Sequence, residues 1–268
     1  MKNINCNKKK IMIDEDDFVL MHGDSLKLLK KIEQNSVDMI FADPPYFLSN
    51  GGITVQSGKM VSVNKGEWDE GMSLEERHKF NRKWIRMCKN VLKDDGTIWI
   101  SGTMHNIYSI GMALELEGFS IINNITWEKS NPPPNLACRS FTHSTETILW
   151  ARKQLTSKKK GKHQFNYSVM KKINGGKQMK DVWTFSTTPQ REKKCGKHPT
   201  QKPIAVLERI VLASTNKNDV VLDPFNGSGT TGIVCSMLGR RYIGIEQESE
   251  YIELTVNRLN SLKENKDD

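Results

Sequence analysis

Apolar runs too short to be helices alternate with helical patterns along most of this chain, and few architectures accommodate that order. Phe18-Val19-Leu20-Met21 reads as a strand and is followed by the helical spacing Leu26, Leu29, Ile32. Met39-Ile40-Phe41 is the next strand. A polar, glycine-rich loop from Ser49 to Gly71 leads into a long helix from about Ser73 to Leu92, which opens with the capping pair Ser73 and Glu76. Thr97 to Ile100 forms another strand, and a helix from about Ile107 to Leu116 is closed by Gly118. Ile121 to Trp127 and Thr147 to Trp150 are strands joined by a loop, which predicts an antiparallel pair at a sheet edge. Further on, Ile204 to Ala213, Thr230 to Leu238 and Tyr251 to Leu262 are helical, while Val220 to Leu222 and Tyr242 to Ile245 are strands. The alternation predicts an α/β fold, doubly wound, with a mostly parallel sheet covered on both faces.

With 268 residues, 37% of them hydrophobic, the chain suits one large domain or a core domain with an insertion. No stretch approaches the ~18 to 20 apolar residues of a membrane span, and no secretory h-region follows the basic start, so a cytoplasmic location is expected. Five scattered cysteines without a C-x-x-C pair argue against a disulfide frame or a metal site. Charge is the informative part of the composition. The net charge is +9, yet residues 151–202 hold 15 lysines and arginines against two acids, so the remainder is slightly acidic. Such a segment is either a footprint for a polyanion or a solvated charged loop.

Gly227, Gly229 and Gly232 lie between a strand and a helix in G-x-G-x-x-G spacing, and Glu246 follows at the end of the next strand. Glycines permit a tight turn close to a ligand, and the acid can bind ribose hydroxyls. That pattern fits NAD as well as other adenosine cofactors. Asp223 at the strand end separates them, since a carboxylate there repels a pyrophosphate but suits the ammonium of S-adenosyl-L-methionine, which has no phosphate. Asp43 is a second acid at a strand's carboxyl end, where open α/β sheets place their ligand crevice. The two prolines after it stiffen the backbone and end the strand.

Asp43-Pro44-Pro45-Tyr46, "DPFNGSGTT" from Asp223 and "KHPTQKP" from Lys197 together resemble the amino-methylating DNA methyltransferases in the permuted order called the beta group. The likeness covers nearly the whole chain. It implies a circularly permuted, Rossmann-like methyltransferase fold with a seven-stranded sheet, S-adenosyl-L-methionine as cofactor and no metal. Asp43 and the Pro44 carbonyl would accept the two hydrogens of an exocyclic amine, and Tyr46 would offer an aromatic face to a base extruded from the duplex. Asp24, Asp43, His198, Thr200, Lys202, Asp223, Phe225, Gly227, Gly229, Thr230 and Glu246 would line the cofactor; Asp24 also reads as a helix N-cap, and Asp223 as a brace of the loop. Catalytic residues 18–150 and 197–268 would follow an N-terminal tail, 1–17, and enclose a target-recognition region, 151–196. There Lys158, Lys159, Lys160, Lys171, Lys172 and Lys177 would meet DNA phosphates, and Phe165, Tyr167 and Trp183 would either stack on bases or form core.

"ADPPYFLSNGG" and "THSTETILWARK" further resemble the GATC adenine-N6 methyltransferases of DpnII-type restriction-modification systems. This implies DNA as substrate and functional association with a restriction endonuclease, and it allows a homodimer. A cytosine-N4 or RNA amino-methyltransferase is the nearest alternative. A nicotinamide-dependent oxidoreductase and a non-catalytic DNA-binding module are the more distant ones.

Overall fold

The computed structural model describes residues 11–46, 53–56, 59–62, 72–154 and 162–267. In chain order the elements are β1 (Ile11–Asp14), β2 (Phe18–His22), α1 (Ser25–Leu28), β3 (Val37–Ala42), β4 (Ile53–Gln56), β5 (Lys59–Ser62), α2 (Leu74–Val91) and β6 (Leu92–Gly102). They continue with α3 (Ile107–Leu116), β7 (Phe119–Lys129), β8 (Thr145–Lys153), α4 (Tyr167–Ile173), β9 (Val182–Phe185), α5 (Ile204–Ser214), β10 (Val220–Asp223), α6 (Thr230–Leu238), β11 (Arg241–Glu246) and α7 (Ser249–Asp267).

Among the described residues nine strands form one sheet, ordered β1-β2-β11-β10-β3-β6-β8-β7-β9. The five from β2 to β6 in that order are mutually parallel. β8 runs antiparallel to both β6 and β7. The chain therefore enters the parallel sheet at β2 and supplies its central strand, β10, only near the end, as the permuted order requires. Parallel strands are buried on both faces, which is why they read as continuous apolar runs.

Alternate side chains of each strand feed two cores. Val19, Met21, Ile40, Ala42, Leu222, Ile98 and Ile100 face α2 and α3, packing with Trp84, Ile85, Ile110 and Ala113. Phe18, Leu20, Met39, Phe41, Val221 and Trp99 face the other way, toward Leu207 and Ile210 of α5, Ile233 and Val234 of α6 and Ile252 of α7. The capping signal of α2 is realised: Glu76 N–H donates to Ser73 Oγ at 3.2 Å, and Ser73 N–H donates to Glu76 Oε2 at 2.7 Å.

Two strands go beyond the expected seven, and both come from segments placed outside the core. Residues 1–17 are not all tail, because Ile11–Asp14 pairs antiparallel with β2. Residues 151–196 are not a separate unit either: 151–153 finish β8, and β9 pairs in parallel with β7. Trp183 and Met170 are buried in the second core, Trp183 lying 6.2 Å from the ring of Trp99. Trp183 is thus core rather than a base-stacking residue. An edge strand exposes unpaired backbone groups, so the β7–β8 pair gains from the cover that β9 provides. The helix expected over Leu26 to Ile32 is shorter, with α1 giving way to a 3-10 turn at Leu29–Lys31. Within the loop expected from Ser49 to Gly71, β4 and β5 pair as an antiparallel hairpin.

Candidate active site

From β3 the chain moves through α2 to β6, and from β10 through α6 to β11, on opposite sides of the β3–β10 pair. Adjacent parallel strands whose connections diverge open a crevice at their carboxyl ends. Asp223 ends β10 and Asp43 follows β3 there, so the two acids singled out in the sequence border one crevice.

Asp43 anchors one side of it. The Tyr46 hydroxyl donates to Asp43 Oδ1, and Lys202 Nζ lies 2.5 Å from Oδ2 and 3.1 Å from the Tyr46 oxygen. Tyr46 and Lys202 are buried, at 9% and 6% exposure, so the Tyr46 ring offers little free face in this state. Burial, reinforced by the Asp43 charge, pushes the Tyr46 phenol well above its ordinary range. For Lys202 burial acts in the opposite direction, but Asp43, Tyr46 and Glu146 outweigh it and hold the ammonium protonated. Lys202, expected near the cofactor's carboxylate, is thus bonded to Asp43. It precedes Pro203, the cap of α5, and Ile204 N–H donates to Glu192 Oε2 at 2.9 Å, which holds that helix start in place.

A further residue was missed in the sequence. Glu146, near the start of β8, lies with Oε1 2.7 Å from Lys129 Nζ and Oε2 3.6 Å from Lys202 Nζ. Burial raises this carboxyl, yet the two lysines overcome that and keep it below the ordinary range. The one signal available was an acid standing directly before the apolar run Thr147 to Trp150.

The other side is the glycine loop. Asp223 is 2% exposed; its Oδ1 accepts Phe225 N–H at 3.0 Å and its Oδ2 accepts the Thr231 hydroxyl at 2.6 Å. Burial pushes this carboxyl up to about 7. These bonds make Asp223 a brace for the loop. Gly229 has φ +74°, and a Cβ there would come within 2.6 Å of Thr255, so both conformation and space demand glycine. At Gly232 a Cβ would meet Tyr242 at 2.7 Å, which lets α6 lie close to the sheet. Thr230 is buried and its hydroxyl accepts from Arg258 Nη1 at 2.9 Å, while Phe225 packs edge-on against Trp84 at 5.3 Å.

Glu246 accepts three backbone N–H groups: Gly227 on Oε2 at 2.7 Å, and Gln247 and Glu248 on Oε1 at 2.8 and 2.9 Å. With roughly four lone-pair sites on a carboxylate, one remains for a ribose hydroxyl. Asp24 caps α1, accepting Lys27 N–H at 2.8 Å. The ring of His198 lies against the glycine loop, 3.3 Å from where a Gly227 Cβ would stand and 4.2 Å from the Tyr251 ring, with Thr200 N–H donating to its Nδ1 at 3.2 Å. Across residues 223–231 there is no lysine or arginine. A loop that begins with an acid and carries no lysine or arginine of its own suits a ligand bearing ribose and ammonium but no phosphate, and S-adenosyl-L-methionine fits that donor set.

Of the lysines expected on DNA, Lys171 and Lys172 lie in the last turn of α4 and Lys177 lies just beyond it, all exposed. Asn166, at the start of α4, donates from Nδ2 to the Leu212 and Thr215 carbonyls at 2.8 Å each, which ties this helix to the end of α5. Lys158, Lys159 and Lys160 lie outside the described residues. The β7–β8 loop, 130–144, leaves the sheet at the crevice end and presents Phe141 and Leu136 at 97% and 60% exposure.

An α/β sheet of this order, with an acid and two prolines ending one central strand and a glycine loop opening on an acid after its neighbour, defines an amino-methyltransferase. A family model described as DNA methylase, for amino-methylating N6 and N4 enzymes, matches residues 37–257. The chain is 62% identical over 247 residues to the Type II methyltransferase M2.LlaDCHI of Lactococcus lactis subsp. cremoris, covering 92% of this chain and 91% of that protein. It is 61% identical over 251 residues to the Type II methyltransferase M2.DpnII of Streptococcus pneumoniae, covering 94% and 92%. Among solved structures, the M1.HpyAVI–SAM complex superposes with a TM-score of 0.68 at 32% identity, covering 91% of this chain and 99% of that one. PvuII DNA methyltransferase (cytosine-N4-specific) shares the fold, with a TM-score of 0.74 at 19% identity over 98% and 94% of the two chains. The chain belongs to the DNA methylase family and takes its methyl group from S-adenosyl-L-methionine.

Proposed function

We propose that this protein methylates the exocyclic N6 of adenine in DNA at GATC, as the modification arm of a restriction-modification system. The observation that carries this reading is the Asp43 carboxylate at the end of β3, beside the crevice and held by Tyr46 and Lys202. Bound S-adenosyl-L-methionine supplies an electrophilic methyl on a sulfonium. The residues of the chain do the rest. An adenine amine is a weak nucleophile because its lone pair is delocalised into the ring, and positive charge grows on the nitrogen as the methyl arrives. Asp43 accepts one N–H and stabilises that charge, and the Pro44 carbonyl accepts the other. A carboxylate at position 43, where cytosine-N4 enzymes more commonly carry serine, favours adenine. Similarity to the Type II methyltransferase M2.DpnII supports the restriction-modification setting, and the GATC target rests on the resemblance of segments 42–52 and 142–153.

DNA would approach the crevice over the β7–β8 loop, while Lys171, Lys172 and Lys177, with Lys158 to Lys160, hold phosphates. Such an enzyme acts in the cytoplasm beside its restriction endonuclease. Among the described residues no helix is long and apolar enough to cross a membrane. A homodimer would use the exposed Met104 before α3 and the exposed row Tyr108, Met112 and Leu116 along it, which equilibrium sedimentation would test. The chemical reading is tested by nucleoside mass spectrometry of DNA incubated with enzyme and cofactor. N6-methyladenine is expected, confined to GATC and lost in Asp43→Ala; N4-methylcytosine alone, or near-native turnover by folded Asp43→Ala, would refute it.

A further inference from the structure

Glu146 stands next to the catalytic acid, and the roles assigned above leave it without one. Its Oε1 is taken by Lys129, whereas Oε2 is buried and has no hydrogen-bond partner. Lys202 Nζ lies 3.6 Å from that oxygen, beyond hydrogen-bonding distance, and 2.5 Å from Asp43 Oδ2. One buried ammonium is thus engaged with one carboxylate and lies about an ångström short of bonding to another.

In this state Asp43 is a weak amine acceptor. Tyr46 occupies Oδ1 and the ammonium covers Oδ2. A cation fixed there would also oppose the positive charge that grows on the attacking nitrogen, and such opposition is strong where water is excluded. Removing the lysine altogether would leave two buried carboxylates compensated by Lys129 alone, which is costly in a substrate-free protein.

We propose that Lys202 passes from Asp43 to Glu146 when the target amine enters, so that Glu146 is a positioning residue that clears Oδ2 for the substrate. The shift needs roughly an ångström of side-chain movement, within the slack of a lysine stem. No covalent bond changes and no proton has to cross. Lys129 holds Glu146 from behind and keeps its free oxygen aimed at Lys202. The inference rests on Asp43 being the amine acceptor.

Glu146→Gln is the direct test. Glutamine keeps a carbonyl oxygen for Lys129 but presents an NH2 group where Lys202 would arrive, and a donor cannot receive an ammonium. The variant should lose roughly tenfold or more in kcat while its Kd values for DNA and S-adenosyl-L-methionine stay within about twofold. Combined with Lys202→Met, the loss should be clearly smaller than the product of the two single losses, because the cation to be moved is gone. Losses that simply multiply, or an unchanged kcat in Glu146→Gln, would overturn the handover. Should Glu146→Gln not fold, a crystal structure of the wild-type enzyme with a GATC oligonucleotide and S-adenosylhomocysteine decides the matter. Lys202 Nζ is expected on Glu146, and finding it still on Asp43 overturns the proposal. Full activity in Asp43→Ala would instead defeat the acceptor reading, a different result from a failed handover.

Discussion

Glu246 Oε2 accepts the backbone N–H of Gly227 at 2.7 Å, joining the end of β11 to the glycine loop after β10. The residue expected on the cofactor's ribose is therefore also a strut of the glycine loop. Glu246→Ala strips three backbone N–H groups of their acceptor, each worth about 1 to 3 kcal/mol where it stays buried. Thermal melts should show a lower Tm even without cofactor. Glu246→Gln retains a carbonyl oxygen, so it should melt closer to wild type yet bind S-adenosyl-L-methionine more weakly by calorimetry.

Asp223 carries a pH signature. Its carboxyl is raised from 3.8 to about 7 by burial, so the folded state resists ionising it. A group raised on folding contributes stability in full below its unfolded pKa and loses it as pH rises through the folded value. Asp223→Asn keeps an acceptor for Phe225 N–H and gives the Thr231 hydroxyl a donor. Compared with wild type, it should gain on the order of a few kcal/mol between pH 4 and 8. Urea melts across that range measure the difference; a gap that stays constant with pH would count against a titrating Asp223.

Lys171, Lys172 and Lys177 are exposed at and just beyond the end of α4. If they hold phosphates, replacing all three with glutamine should weaken DNA binding and reduce the slope of log K against log salt by up to ~0.9 per lost contact. Filter binding at several salt concentrations reads this directly. An unchanged slope would make them a solvated face.

Trp183 separates a structural aromatic from a DNA-binding one. It is 5% exposed, and its Nε1 donates to the Lys180 carbonyl at 2.9 Å, with the Arg209 guanidinium 5.1 Å from its ring. Trp183→Ala should cost about 3 to 5 kcal/mol of stability, as large-to-small core changes do. DNA affinity measured well below the new Tm should remain near wild type.

Where the determining signal is local, sequence and structure agree closely. Ser73 and Glu76 mark the start of α2, Gly118 follows the end of α3, and the boundaries of α3 and α6 are those expected, because capping and turn conformations depend on residues a few positions apart. The acids at the ends of β3 and β10 were visible for a similar reason: a strand that stops at a carboxylate with two prolines, or with glycines, advertises its end. The strands β1 and β9 were not visible, since a four-residue strand gains its identity from the partner it pairs with. Trp183 was ambiguous, as an aromatic in a basic segment suits either a core or a base.

By itself, then, the sequence determined the α/β order and the two motif-bearing strand ends, both products of short-range patterning, while the permuted chain path was implied by the family whose motif order it resembles. Only the tertiary structure decided that Lys202, 159 positions from Asp43, lies on that carboxylate, and that Glu146 stands 3.6 Å from the same ammonium. The physical reason is that a buried charge finds its partner through burial and the approach of distant strands, and no spacing along the chain encodes that approach.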